Sequence, residues 1–295
     1  MSVKAYLGVA RGPFLLLPFT LVAAGAAAAA YEGHFSIPHT LLALVGLVLL
    51  HAAVNVLNEV SDARTGIDFH TLRTPFSGGS GTLQAGAMQV RTARAFGLIC
   101  AAIGGAIGVY FLTHVGWQIL PIMVIGALAV MGYTDGLARI GLGEIFAGLG
   151  LGALPVWGTA LVQGALPGRA ALAAAVPAFC MTLNLLLLNE FPDEAADRAG
   201  GRRNLVLLFG RRAAALIYAL AAIAVPVSIV VSVAVKALPP LSLLAVLPSV
   251  LLAGPLRWAF GTPQQDVPIP AMGANVAWNL ATNTFLAITL AFAAH

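Results

Sequence analysis

The sequence predicts an all-α polytopic membrane protein, and three observations support this fold class. The 295 residues are 60% hydrophobic and 9% charged, whereas a soluble domain carries about 25% charged residues. The mean hydropathy is +0.93. Apolar runs of about 18 or more residues, each long enough to cross a bilayer as a helix, recur along the chain. We therefore expect a single membrane domain over residues 1–295, with helices around a central cavity and a cap of loops on the cytoplasmic side.

Nine transmembrane helices are predicted from apolar runs that are separated by Gly, Pro or charged residues. The segment before the first span is short and leads directly into a full-length apolar run, so we expect a cytoplasmic N-terminus and no cleaved signal peptide. An odd number of spans then places the C-terminus on the opposite side. In chain order the predicted spans are 12–31, 37–61, 94–113, 116–134, 143–163, 170–191, 213–235, 239–259 and 274–294.

The charged residues are distributed as this topology requires. Of the 15 Lys and Arg residues, only Arg169 and Lys236 fall in predicted outer loops, which agrees with the positive-inside rule. Of the 11 acidic residues, only Glu32 falls on the outer side. The cytoplasmic loops account for the pI of about 9.4, so we expect membrane lipid and not nucleic acid as a partner.

A first acidic cluster lies at the inner end of the second predicted span, in the sequence NVLNEVSDARTGID. Four of its polar residues are spaced i, i+3, i+4 and i+7. At about 100° per residue they share one helix face. These four are Asn55, Asn58, Glu59 and Asp62, and Asp68 follows in the next loop.

A second cluster, NEFPDEAADRAGGRRNL, lies at the inner end of the sixth span. Asn189, Asp193 and Asp197 are spaced i, i+4 and i+8, so they also share a face. Pro192 is expected to bend or end this helix. The sixth span comes four spans after the second, an even number, so the two spans run in the same direction and both clusters emerge on the same side of the membrane.

The two clusters together indicate a metal site. Each cluster alone could be a solvated helix end. The two clusters, however, have similar sequences, lie at the same level of their spans and face the same side of the membrane, which favours a joint role. Converging carboxylates repel unless a cation lies between them, and neither cluster contains the His or Cys typical of zinc sites. Mg²⁺ prefers oxygen ligands and commonly bridges carboxylates to phosphates. We therefore predict Mg²⁺ and a phosphate-bearing substrate.

Glycine and basic residues follow both clusters. The loop RTPFSGGSGTLQAGAM at 73–88 can present backbone N–H groups to an anion, although such loops are also common linkers. Arg198, Arg202 and Arg203 follow the second cluster, where they satisfy either the positive-inside rule or an anionic ligand. In the loop after the fourth span, GYTDGLARIGLGE places Tyr133 on the same side.

These motifs resemble those of the UbiA superfamily of intramembrane prenyltransferases, most closely the 1,4-dihydroxy-2-naphthoate polyprenyltransferase branch. The branch's first motif, N-x-x-N-D-x-x-D-x-x-x-G-x-D, is similar to residues 55–68, with Glu59 in place of the usual Asp. Its second motif, D-x-x-x-D-x-x-x-G-K-x-T-L, is similar to residues 193–205, with Arg202 and Asn204 as departures. A Tyr-Thr segment and a G-L-G-E segment of the family also match, at 133–134 and 141–144.

The resemblance implies that an isoprenyl diphosphate binds through Mg²⁺ and that its prenyl chain passes to a lipid-soluble aromatic acceptor. On this basis the predicted metal ligands are Asp62, Asp193 and Asp197, supported by Asn55, Asn58, Glu59, Asp68 and Asn189. The predicted contacts to the diphosphate are Arg73, Arg139, Arg198 and Arg202, and Tyr133 is placed near the acceptor or the leaving group.

Two other functions are consistent with parts of the sequence. Some relatives resemble terpene cyclases, in which the chain's own double bonds capture the allylic cation, and these would give a cyclic hydrocarbon without an acceptor. A transporter would also place acids in a membrane and often has repeated halves. The predicted acids, however, lie at one surface, whereas a transport path requires polar groups across the bilayer.

Overall fold

The computed structural model of the chain describes residues 2–67 and 73–294, and over these residues it contains helices, turns and no strand. The α-helices in chain order are α1 Val3–Val9, α2 Leu17–Tyr31, α3 Ile37–Thr65, α4 Val90–Val115, α5 Leu120–Met131, α6 Gly143–Gly148, α7 Leu154–Leu161, α8 Arg169–Ala199, α9 Leu205–Phe209, α10 Arg211–Ala234, α11 Ala253–Gly261 and α12 Ile269–Ala293. A 3₁₀ turn at Gly12–Leu16 precedes α2, a π turn at Leu149–Ala153 joins α6 to α7, and a 3₁₀ helix at Pro240–Leu252 precedes α11.

Eight helical segments of the described chain are long and apolar enough to cross a membrane, which confirms an integral membrane protein. One of them, Val90–Met131, covers two of the nine predicted spans. Within it Gly116 has φ 79° and separates α4 from α5. Gly108 faces Met123 across this break, so the two helices form a hairpin. The count of nine spans and the cytoplasmic position of the N-terminus stay predictions.

Local sequence sets both ends of α3, which carries the first acidic cluster. Ser36 accepts a hydrogen bond from the backbone N–H of His39 at 3.4 Å, and Pro38 occupies the first turn, where its missing N–H costs nothing. Gly66 ends the helix with φ 79°, a left-handed conformation that favours glycine. The cluster therefore occupies the last turns of a rigid helix of 29 residues.

Helix α8 is longer than the sequence predicted. The predicted span ended at residue 191, but the helix continues through Pro192 to Ala199. Arg211 stabilises this turn because its Nη1 donates to the Phe191 carbonyl at 3.1 Å and to Glu194 at 3.1 Å. The second cluster therefore also lies on a helix and keeps its predicted face.

Small residues allow close packing around α2 and α8. At Gly25, a Cβ atom would lie only 2.4 Å from the carbonyl oxygen of Val156, so the α2–α7 contact requires glycine.

Glu32, the acid predicted on the outer side, accepts hydrogen bonds from the backbone N–H groups of Gly168 and Ala170 at 2.8 and 2.9 Å. It thereby caps the N-terminus of α8.

Candidate functional site

The C-terminal ends of α3 and α8 converge on the side chain of Arg202. This guanidinium forms an ion pair with Asp62 of α3, and its Nη1 donates to Asp197 Oδ1 of α8 at 3.1 Å. Its Nη2 also donates to the amide oxygen of Asn58 at 3.1 Å. The structure therefore brings the two acidic clusters into one site.

A tight turn after α8 brings Arg202 to this position. Gly201 has φ 73°, and the backbone N–H of Arg202 then donates to the carbonyl of Asp197 at 2.9 Å. Burial disfavours the cationic form of Arg202, but the charges of Asp62 and Asp197 outweigh burial and raise its pKa above the ordinary value. Arg202 is therefore a permanent positive charge between two carboxylates.

On the α8 side, Asp193 and Asp197 have different surroundings. Asp197 Oδ2 accepts a hydrogen bond from Asn204 at 2.9 Å, and Asn204 also caps α9 by accepting from the N–H of Leu207 at 2.9 Å. Asp193 Oδ1 is buried and has no hydrogen-bond partner among the described residues. An unpartnered buried carboxylate oxygen is costly, so this atom is a strong candidate for a cation ligand.

On the α3 side, Asn58 organises the polar contacts. Its amide nitrogen donates to Asp62 Oδ2 at 3.1 Å, and its oxygen accepts from Thr134 at 3.2 Å as well as from Arg202. Asn55 is used differently, because its amide nitrogen donates to the carbonyl of Ala10 at 2.9 Å.

A polar cavity of about 90 Å³ lies between the two clusters. Its wall contains carboxylates, guanidinium groups and the glycine-rich segment 77–79. The residues that line it include Arg11, Asn58, Asp62, Ser77, Gly78, Gly79, Tyr133, Asn189, Glu190, Asp193, Asp197, Arg202, Arg203 and Asn204.

An apolar cavity of about 180 Å³ adjoins the polar one. Asn58, Tyr133 and Asn189 line both cavities. Arg11, Phe76 and Leu186 also line both. The rest of the apolar wall is formed mainly by α3, α5, α6 and α8, and includes Phe14, Leu47, Leu50, His51 and Phe146. A charged group and an apolar group of one ligand can therefore bind in adjoining compartments.

Tyr133 stands at this junction. Burial is the main cause that raises the pKa of its hydroxyl above the ordinary value, and the nearby carboxylates of Glu190 and Glu144 raise it further, whereas Arg202 opposes them. The hydroxyl therefore stays protonated at neutral pH and can donate a hydrogen bond. Glu144 Oε1 accepts from the backbone N–H of Leu205 at 2.6 Å.

Glu59 is not among the residues that line the polar cavity, although its partner Arg11 is. Its Oε1 accepts from Arg11 Nε at 2.9 Å and from the backbone N–H of Ser80 at 2.7 Å, and its Oε2 accepts from Ser80 Oγ at 2.9 Å. The side chain is fully buried. Both of its oxygens are thus already engaged.

Three of the predicted arginines do not line either cavity. Arg73 is exposed and its guanidinium packs against Gly81. Arg198 is 69% exposed and donates to Glu194 at 3.1 Å. Arg139 approaches Gly201. Asp68, predicted as a metal ligand, lies outside the described residues.

The structure also adds residues that were not predicted as part of the site, namely Arg11, Glu190, Arg203 and Asn204. Two of them have a signal in the sequence. Asn204 is a departure from the second motif, and Glu190 belongs to the repeated NEFPD segment. Arg11 carries no comparable signal, because one arginine before a first span is ordinary.

The donor set fits Mg²⁺. Over residues 2–67 and 73–294, no three His, Cys, Asp or Glu side chains form a preassembled metal site. Mg²⁺ typically needs only one or two carboxylates, because water and substrate phosphates supply its other ligands. The unpartnered oxygen of Asp193, with Asp62 and Asp197 lining the same cavity, meets that requirement.

Comparison with known proteins identifies the family of the chain. The UbiA prenyltransferase family matches residues 16–281. The chain is 27% identical over 216 residues to 1,4-dihydroxy-2-naphthoate octaprenyltransferase of Escherichia coli, a match that covers 70% of this chain and 69% of that protein. It is 25% identical over 179 residues to the enzyme of the same name from Bacillus subtilis, covering 60% of this chain and 56% of that protein.

Solved structures share the fold at low sequence identity. A UbiA homolog from Aeropyrum pernix has a TM-score of 0.70 at 16% identity, covering 92% of this chain and 97% of that one. A UbiA homolog from Archaeoglobus fulgidus bound to GPP and Mg²⁺ has a TM-score of 0.66 at 17% identity, covering 98% and 99%. The predicted family and all-α membrane fold are confirmed, and the chain belongs to the UbiA prenyltransferase family.

Proposed function

We propose that this chain is a Mg²⁺-dependent enzyme that transfers an isoprenyl group from an isoprenyl diphosphate to a lipid-soluble aromatic acceptor. The observation that carries the proposal is the junction of the two cavities, where Asn58, Tyr133 and Asn189 border both compartments. The named relatives that act on a dihydroxynaphthoate and the related structures bound to DMAPP or GPP with Mg²⁺ support it.

The polar cavity suits the diphosphate. Arg202 and Arg203 line it, together with Gly78 and Gly79, whose backbone permits a close approach by phosphate oxygens. Asp62, Asp193 and Asp197 would hold Mg²⁺, which when bound supplies the positive charge that helps the diphosphate to leave. Arg202 adds a fixed charge that needs no reorganisation during the reaction.

The apolar cavity suits the prenyl chain and the acceptor ring. When the allylic C–O bond breaks, the diphosphate departs with the bonding electrons and leaves a carbocation. A ring carbon of the acceptor then provides the electron pair for the new C–C bond, and its proton passes to the departed diphosphate. Phe14, Phe76 and Phe146 line the cavity and exclude water, which would otherwise capture the cation.

The test is to incubate the purified protein in lipid with Mg²⁺, prenyl diphosphates of several lengths and a panel of phenolic and naphthoate acceptors. The proposal predicts a prenylated acceptor and free diphosphate by mass spectrometry. A cyclic hydrocarbon formed without an acceptor would identify a cyclase, and unreacted diphosphate under every condition would refute the proposal.

A further inference from the structure

We propose that Glu59 is a clasp that fixes the N-terminal segment and the glycine-rich loop over the polar cavity, and that it is not a metal ligand. The glycine-rich loop is defined as residues 73–89, which are described and which lead from the connection after α3 into α4. The significance of the clasp for catalysis rests on the proposed function, but its contacts can be tested without substrate.

Glu59 joins three separate elements of the chain. It lies on α3, it accepts a charge-assisted hydrogen bond from Arg11 at the junction between α1 and the first 3₁₀ turn, and it accepts two hydrogen bonds from Ser80 of the loop. Arg11 is 48 residues away in sequence and Ser80 is 21 residues away. A single buried carboxylate therefore determines the relative position of all three elements.

The position of Glu59 on α3 explains why it contacts Arg11 and Ser80 and not the residues that Asn58 contacts. At about 100° per residue, Glu59 and Asn58 lie at opposite edges of the polar face of α3. Asn58 points toward Thr134 and Arg202, at the polar cavity. Glu59 points toward Arg11 and Ser80 instead.

Metal coordination by Glu59 would break the contacts that it makes now and would require it to turn toward the cavity. The Arg11 guanidinium and the Ser80 N–H would lose their acceptor, and an unpaired buried charge is strongly unfavourable. Asp62 and Asp197 also have partners for both oxygens, but they line the polar cavity, and Glu59 is not among the lining residues. Asp193 presents the opposite case, because its buried Oδ1 has no partner to lose. The energetic balance therefore favours Asp193 as the ligand and Glu59 as the clasp.

The clasp is connected directly to the cavity wall. Ser80 Oγ gives its one proton to Glu59 and accepts from the backbone N–H of Thr82 at 3.1 Å. Thr82 packs so closely on Gly8 of α1 that a Cβ at Gly8 would lie 2.4 Å from its hydroxyl oxygen. On the other side of Ser80, residues 77–79 line the polar cavity. Releasing Ser80 would therefore loosen the segment that is expected to face the diphosphate.

The length of the Glu59 side chain allows it to contact Arg11 and Ser80 at the same time. An Asp at position 59 would be shorter by one methylene group, about 1.5 Å, and could not reach Arg11 and Ser80 together. Asp and Glu are thus not equivalent at position 59 of this chain.

The primary test is hydrogen–deuterium exchange of residues 73–89 in the full chain in lipid nanodiscs, without Mg²⁺ or substrate. We expect roughly tenfold faster exchange in Glu59→Gln and a smaller increase in Ser80→Ala, with no further increase in the double variant. Glu194→Gln removes another ion-paired carboxylate, on α8, and is the matched control that leaves the exchange of this loop unchanged.

A second measurement separates the clasp from a metal ligand. Glu59→Gln is expected to raise the KM for prenyl diphosphate while the Mg²⁺ concentration for half-maximal activity stays the same, whereas Asp62→Asn shifts the Mg²⁺ dependence. Unchanged loop exchange together with a Mg²⁺ shift in Glu59→Gln would overturn the clasp. If the wild-type protein transfers no prenyl group at all, the proposed function fails, and the exchange data still decide the clasp.

Discussion

The acidic clusters on α3 and α8 have similar sequences but different hydrogen-bond partners. On α3, Glu59 is held by Arg11 and Ser80, and Asp62 is held by Asn58 and Arg202. On α8, Asp193 retains a buried oxygen without a partner. Arg202 thus pairs with one carboxylate of each face, Asp62 on α3 and Asp197 on α8, and the two faces differ because Asp193 of α8 keeps a carboxylate oxygen available for a cation.

This difference shows that two similar sequence motifs need not have the same role. In NEVSD and NEFPD, Glu59 and Glu190 occupy the same place. Glu59 faces a guanidinium and a hydroxyl group, whereas Glu190 lies beside Glu144 on the wall of the polar cavity. The partners supplied by the fold determine the chemistry of each carboxylate.

The largest effect is expected for Asp193→Asn, which removes the available carboxylate of the α8 face. Prenyl transfer should fall on the order of 10³-fold because the charge that holds the cation is lost. Rates are measured by product mass with saturating substrates, and thermal unfolding serves as the control for folding. Activity within a few-fold of wild type would show that the two faces are not divided in this way.

The next effect is expected for Arg202→Gln, which removes the charge that joins the faces. Asp62 and Asp197 would then oppose each other without a cation, and stability should fall by about 3–5 kcal/mol. Turnover should fall about 10²-fold. Adding Asp62→Asn should restore part of the stability in a thermal unfolding assay, and equal losses in the single and double variants would argue against the bridge.

A smaller effect is expected for Tyr133→Phe, at the junction of the cavities. The protonated hydroxyl can donate a hydrogen bond to a ligand at this junction, so its loss should reduce turnover about tenfold. Because burial and nearby carboxylates raise the pKa of Tyr133 above its ordinary value, the hydroxyl is protonated at every pH up to about 10. The shape of the pH–rate profile should therefore be the same in the variant, and a lost alkaline limb would contradict this assignment.

The smallest effect is expected for Arg198→Gln. This side chain is exposed and paired with Glu194 at the surface, and such pairs contribute little. Turnover and the KM for prenyl diphosphate should change by less than about twofold. A large rise in KM would return Arg198 to the diphosphate site predicted from sequence.

The sequence predicts the helices and the polar faces well, because both depend on local periodicity. The spacing of Asn58 and Asp62, and of Asn189, Asp193 and Asp197, already places each set on one face. Helix α8 extends past Pro192, and in that turn the Phe191 carbonyl accepts a hydrogen bond from Arg211, 20 residues later in the chain.

The partners of the charged groups could not be predicted in the same way. Arg202 meets Asn58 across 144 residues of sequence, and Arg11 meets Glu59 across 48. No local pattern encodes such pairs, because they arise from the packing of helices. For this reason Glu59 reads as a metal ligand in the motif and as a clasp in the fold.

The most direct test of the division between the two faces compares Asp193→Asn with Glu59→Gln in a Mg²⁺ titration of prenyl transfer, using one prenyl diphosphate and one aromatic acceptor. We predict that Asp193→Asn abolishes transfer at every Mg²⁺ concentration. Glu59→Gln should remain active with a wild-type Mg²⁺ midpoint and a raised KM for the diphosphate. Robust transfer by Asp193→Asn, with a shifted Mg²⁺ midpoint in Glu59→Gln, would contradict the account.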